Sequence, residues 1–168
     1  MKSAIDSSGI ILLAKSSLLR EACLLTELET SEEVKSEVMA GLERGRKDAL
    51  YMQELVKERK IKITEFDKKL CEKFRKDFNI GLGEASVIAL SASKKMNLIT
   101  DDNKARKVGK VIGLDVLSSL DFPVILYKKG IITYDKARDC LEVLKKEGWF
   151  SESVLIEAFN ALKRGEKE

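Results

Sequence analysis

Gly81-Leu82-Gly83-Glu84-Ala85-Ser86-Val87-Ile88-Ala89-Leu90, continuing into Met96-Asn97-Leu98-Ile99-Thr100-Asp101-Asp102, decides the fold. The glycines read as a turn, and residues 84–96 read as a helix. Glu84, Val87, Ile88, Ser91 and Ala92 stand at i, i+3, i+4, i+7 and i+8, so they share one helical face. Asn97 to Thr100 then reads as a strand ending in two acids, with a helix expected over 103–112 and a strand over 114–118. Upstream the same alternation recurs. Residues 2–6 read as a strand closed by Asp6, and 7–25 as a helix broken at Lys15-Ser16-Ser17. A second strand is expected over 27–30. One helix capped by Thr30 or Ser31 should then run to about Val56, with Leu42 on its apolar stripe and Gly41 and Gly45 on or beside it, marking close packing or a bend. A third strand is expected over 61–64. A helix with a capping-box-like start at Thr64 and Asp67 should follow it to about Phe78. Beyond Ser119 the pattern is helical only, with breaks at Gly130 and at Gly148, a C′ glycine. Strands alternating with helices call for an α/β domain: a central parallel sheet covered by helices on both faces, with the C-terminal helices around its edge.

Length and composition bound the function. A chain of 168 residues, 44% apolar, is one domain spanning 1–168 with material for a sizeable core. It contains no histidine, which excludes Ser-His-Asp and Cys-His nucleophile systems and His-ligated zinc. Cys23, Cys71 and Cys140 form no C-x-x-C pair and read as reduced thiols of a cytoplasmic protein. No apolar run approaches ~18 residues, so no membrane span is expected. The formal charge is +3, unevenly spread. Residues 43–76 carry twelve bases and seven acids, and the basic helical stretch at 43–60 is compatible with a polyanion without demanding one. Trp149 and Phe150 read as core or interface residues rather than stacking platforms.

Several acids stand where acids are unusual. Glu84 heads an apolar stripe, and Glu37 lies between Val34, Val38 and Gly41. Asp6, Asp101 and Asp102 close strands directly before helices, where N-capping is the ordinary use of an aspartate. In an open parallel sheet, however, ligands bind beyond the carboxyl ends of the strands. Carboxylates meeting there repel one another unless a cation compensates. Without histidine, an oxygen-only site fits Mg²⁺ or Mn²⁺ better than Zn²⁺. Such ions activate water and stabilise the charge that develops in phosphodiester hydrolysis.

The ordered set Ala4-Ile5-Asp6-Ser7-Ser8, Ser31-Glu32-Glu33-Val34-Lys35-Ser36-Glu37-Val38, Gly83-Glu84-Ala85 and Leu98-Ile99-Thr100-Asp101-Asp102 resembles PIN-domain ribonucleases. It looks most like a prokaryotic subgroup with G-E-A and D-D-x-x-A-R signatures, the second here Asp101-Asp102-Asn103-Lys104-Ala105-Arg106. The likeness extends through Gly130-Ile131-Ile132 and Leu144 to Phe150. It implies a three-layer PIN-like domain with a helical C-terminal segment, and a Mg²⁺- or Mn²⁺-dependent endoribonuclease acting on RNA. It also implies a homodimer and, for the VapC type, a toxin restrained by a small antitoxin protein. Carried over, Asp6, Glu37, Glu84 and Asp102 are the catalytic acids. Asp6, Glu84 and Asp102 would hold the metal, with Asp101 as the competing or auxiliary ligand. Ser7 would orient the first acid or contact phosphate, and Thr100 precedes the last acids; Lys104 and Arg106, basic residues after the acidic strand end, read either as phosphate-positioning groups or as an ordinary charged helix. On this reading Asp6, Glu84 and Asp102 should converge at the sheet's carboxyl edge.

Two rivals use the same residues differently. In a non-catalytic nucleic-acid- or protein-binding module, the acids are caps and rim residues. A phosphoacceptor switch needs a three-Asp pocket with an opposing lysine. It fits poorly, because the first strand ends in one Asp and the Asp pair falls late in the chain.

Overall fold

The structure is a computed structural model that describes residues 1–41, 45 and 47–165. Its strands are β1 (Lys2–Ile5), β2 (Glu27–Thr30), β3 (Ile61–Ile63), β4 (Asn97–Ile99) and β5 (Val116–Leu117). They form one parallel sheet in the order β3-β2-β1-β4-β5. The helices are α1 (Ser7–Lys15), α2 (Leu19–Leu25), α3 (Glu32–Met39), α4 (Lys47–Lys57), α5 (Lys68–Phe78), α6 (Leu82–Lys94), α7 (Asn103–Val111), α8 (Asp121–Lys128), α9 (Tyr134–Glu147) and α10 (Glu152–Gly165). The chain steps one way from β1 to β2 to β3, then crosses back to β4 and β5. Right-handed crossovers therefore send α1–α4 and α5–α7 to opposite faces, giving three layers. The strand order reverses between β1 and β4, and there the carboxyl edge opens into a crevice.

Burial explains why these segments pair. Ala4, Ile5, Leu28, Leu98 and Ile99 are buried, as strands covered on both faces require. Helix α6 is buried from Ala85 to Ser91 and lies on β1 and β4. No helix is long and apolar enough to cross a membrane among the described residues. The three cysteines are free thiols.

The close seat of α7 on the sheet depends on Gly109. A methyl there would stand 2.9 Å from Leu98 Cδ2 and 2.9 Å from Val116 Cγ2. Replacing glycine in a helix gains up to ~1 kcal/mol of propensity. Overpacking costs about 1–3 kcal/mol and wins here, because the Val116 methyl is short and stiff. Gly109→Ala is expected to lower urea-unfolding stability by about 1–2 kcal/mol, and an unchanged midpoint would show that α7 can slide.

Four local expectations are corrected. The helix expected from 31 to 56 is two helices, α3 and α4; Gly45, at φ +73°, lies between them. Leu42, Glu43, Arg44 and Arg46, part of that stripe and of the basic stretch, lie outside the described residues. Thr64 does not open α5. Asp67 alone caps it, accepting from Leu70 N at 3.0 Å, while the Thr64 hydroxyl donates to Glu29 at 2.8 Å. Gly148 ends α9 in an extended conformation rather than the left-handed one of a C′ glycine. The C-terminal helices pack on α1 and α2 through a second apolar cluster of Leu12, Leu120, Ala137, Leu141, Leu144 and Leu162. They do so because α1 presents apolar residues on two sides, one to the sheet and one outward.

Candidate active site

Asp6 directly follows β1 and is 2% exposed. It caps α1, as an aspartate before a helix ordinarily does, and it does more. Its Oδ1 accepts from Gly9 N at 2.9 Å and from Ser8 Oγ at 2.7 Å, while Oδ2 accepts from the Thr100 hydroxyl. Burial nevertheless raises its carboxyl to about 6, with the charge of Glu84 adding to the rise.

The β1–β4 register brings the second strand end alongside. Ile5 pairs with Ile99, and Asp6 N donates to Ile99 O at 3.1 Å. Ser8 joins the two ends, because its Oγ also accepts from Asp101 N at 2.9 Å. Thr100 Oγ1 likewise accepts from Asp102 N at 3.2 Å while donating to Asp6. The two hydroxyls also lie 3.5 Å apart, and each is closer to Asp6 than to the other, so donation to the carboxylate is the shorter bond for both.

Asp101 and Asp102 separate in role. Asp102 caps α7, its Oδ1 accepting from Lys104 N at 2.9 Å and Ala105 N at 2.7 Å. Asp101 turns inward, and its Oδ1 accepts from Ser119 N at 2.9 Å. Its Oδ2 is buried with no hydrogen-bond partner. Burial foremost, and then the charge of Asp6, raise its carboxyl to about 7, against which Arg106 acts in the opposite sense.

Glu84 and Glu37 approach from two other helices. Glu84 stands in the first turn of α6, where the dipole favours an acid, and its carboxylate folds back over Gly81, its Cδ 3.3 Å from where a Cβ would stand. Ser31, the cap of α3, meets Ser86 of α6 at 2.6 Å, and Ser86 donates to Gly83 O at 2.7 Å. That junction sets α3 beside the start of α6. Glu37 then lies against Gly83, with its Cδ 2.6 Å from the place a methyl would occupy. The Ser7 hydroxyl and Gly83 N–H support the Glu37 carboxylate, while desolvation and the charge of Glu84 raise it above its ordinary value.

The electrostatics therefore link Glu37 to Glu84, Glu84 to Asp6, and Asp6 to Asp101. Asp102 flanks this chain of acids, lining one cavity with Asp101 and Ser8. Among the described residues no group of three or more acids or cysteines is placed to hold a metal ion together. Mg²⁺ does not require one, since it is held by one or two carboxylates and keeps several waters. The all-oxygen donors, their mutual repulsion and the orphaned Asp101 Oδ2 fit a hard divalent cation.

The other residues singled out in the sequence divide. Ser7 reaches Glu37 and Thr100 reaches Asp6. The Lys104 ammonium is bonded to Asn79 O, at the end of α5. Arg106 is near enough to Asp101 to oppose the rise in its carboxyl. Ser8 and Ser119 went unassigned in the sequence. Ser8 had a signal, standing two residues after a strand-end acid, whereas Ser119 is brought in only by the fold.

A PIN-domain family model matches residues 2–164. The chain belongs to the PIN-domain family. PIN domains are in general nucleases. No sequence relative was found among curated proteins. The crystal structure of PAE2754 from Pyrobaculum aerophilum is similar in fold, with a TM-score of 0.54 and 14% identity, over 79% of this chain and 98% of that one.

Gly83 gives this PIN domain a local test of Glu37. A methyl at 83 meets only the end of a flexible side chain, and the gain in helix propensity offsets part of the crowding. Gly83→Ala is expected to leave stability within about 1 kcal/mol while displacing Glu37 and slowing cleavage roughly tenfold. Unchanged cleavage rates would remove Glu37 from the site.

Proposed function

We propose that this PIN domain is a divalent-metal-dependent endoribonuclease. The observation that carries the reading is the buried Asp6 at the strand-order reversal, in electrostatic contact with Glu84 and Asp101. Asp6 with one neighbouring carboxylate, from Glu84 or Asp101, would hold Mg²⁺ or Mn²⁺ together with several waters, with Asp102 flanking them and Glu37 set against Glu84. When bound, the ion supplies a more acidic water and stabilises charge on the reacting phosphate. Ser8 and Thr100 fix Asp6 by donating to its two oxygens. Ser7 and the Gly83 N–H hold Glu37 at the rim, and Arg106 offsets the negative charge beside Asp101.

The VapC-type reading adds a small antitoxin partner, a homodimer and a cytoplasmic place of action. It rests on the Gly83-Glu84-Ala85 and Asp101-to-Arg106 signatures. A non-catalytic binding module is the second reading, favoured by the helix-capping done by both Asp6 and Asp102.

Cleavage of a labelled structured-RNA pool decides between them. The assay is run with Mg²⁺, with Mn²⁺, with chelator, and with Asp6→Asn protein as the contamination control. Metal-dependent cleavage absent from the variant supports the nuclease. Absence of both cleavage and Mn²⁺ binding would leave the binding module.

A further inference from the structure

Trp149 is the chain's single tryptophan and is 96% exposed, so it is not a core residue. Phe150 beside it does pack into the second apolar cluster. The segment between α9 and α10 is tied down on both sides. Gly148 N donates to Leu144 O at 2.8 Å, and Leu155 N donates to Ser151 O at 3.1 Å. A methyl at Gly148 would stand 2.8 Å from Phe150 Cδ2, so glycine is what lets the two residues close up. The indole is thus held outward on an anchored support.

It borders a cavity of about 420 Å³ shared with Ser8, Asp101, Asp102 and Asn103, a size within the roughly 300–1,000 Å³ of small-ligand sites. Trp149 and two members of the acid site therefore border one space. Charge decides what can lie on the ring. Asp101, Asp102 and Glu147 line this cavity, and the nearby Lys15 is paired with Glu147 at 2.7 Å. An anionic group is repelled beside the ring, whereas a flat neutral heterocycle is not. Beyond Glu147, which belongs to both, a second cavity of about 650 Å³ is lined by Lys15, Lys47, Asp48 and Tyr51.

We propose that Trp149 is the nucleobase platform of the site: a base of single-stranded RNA next to the scissile phosphate stacks on the indole. This rests on the nuclease reading for the position of that phosphate, and the stacking itself is measurable without cleavage. Base–aromatic stacking tolerates any base, so the platform contributes affinity rather than sequence choice.

Because Trp149 is the only tryptophan, its emission reports this contact alone. A single-stranded RNA hexamer titrated into full-length Asp6→Asn protein with Mg²⁺ is expected to quench it saturably. The same backbone with abasic positions is expected to leave it unchanged. In wild-type protein, Trp149→Ala should raise KM for RNA at least tenfold with kcat within about threefold, and Trp149→Phe should restore most of the loss. Metal-dependent cleavage with an unchanged KM in Trp149→Ala would overturn the platform and leave the nuclease standing. Base-dependent quenching without cleavage by wild type would uphold the platform and overturn the nuclease. Emission already blue-shifted in a stable dimer, and indifferent to RNA, would overturn the platform by showing that a second copy covers the ring.

Discussion

Asp6→Asn is expected to lower metal-dependent RNA cleavage at least about 10³-fold with no loss of folded structure. Asparagine matches aspartate in shape and keeps an oxygen for Gly9 N and Ser8 Oγ. Its amide can donate to the Thr100 hydroxyl, so the cap of α1 survives. What is removed is one negative charge, at the centre of a chain of acids running from Glu37 through Glu84 to Asp101. A neutral amide is a poor ligand for a hard divalent cation, and Mn²⁺ affinity should fall along with the rate. Equal rates in variant and wild type would mean that the activity comes from a contaminant or that Asp6 is only a cap.

The metal-free wild-type protein is expected to become less stable as pH rises from about 4 to 7, by roughly 3–5 kcal/mol in total. The folded carboxyls of Asp6 and Asp101 lie near 6 and 7, against an ordinary 3.8. Between those values the native chain holds protons that the unfolded chain has released. The unfolded state therefore binds fewer protons, and the unfolding free energy falls with rising pH. Stability from these groups is complete below about pH 4 and fully lost above about pH 7. Asp6→Asn should flatten much of the slope and make the metal-free protein about 2–3 kcal/mol more stable than wild type at pH 7. Mn²⁺ at pH 7 should raise the Tm of wild type and leave that of the variant nearly unmoved. Urea midpoints across pH, with and without chelator, measure all of this. A wild-type midpoint that rises steadily from pH 4 to 7 would contradict the burial of these two acids.

The alternation of apolar strands and amphipathic helices made the sheet and its parallel sense readable, because both follow from local periods. The break at Lys15-Ser16-Ser17 was readable too; Ser16 ends α1 and Ser17 takes a positive φ of 58°. The division of α3 from α4 was readable only as a bend or close packing at Gly41 and Gly45. A helical period of apolar residues persists across a bend, since each half keeps its own buried face. Asp6 and Glu84 were readable as misplaced acids, but the different fates of Asp101 and Asp102 were not. Which of two adjacent aspartates caps a helix and which turns inward depends on Ser119, brought from 18 residues later. Trp149 misled for a related reason. Composition favours burying a tryptophan, and only the packing of Phe150 against Gly148 shows which of the adjacent aromatics took the core position.

The bond from Ser8 to Asp101, joining residues 93 apart, also sets a schedule. Residues 1–41, made first, hold Asp6 and Glu37 but none of their partners from β4, and Ser119 N–H arrives later still. Translation proceeds at roughly 5–20 residues per second, and contacts so distant along the chain form late in folding. A growing chain on the ribosome, itself surrounded by RNA, therefore carries Asp6 and Glu37 without an assembled acid cluster until residues 97–119 have followed. Competence comes only once Ser119 has been made and β4 has docked beside β1.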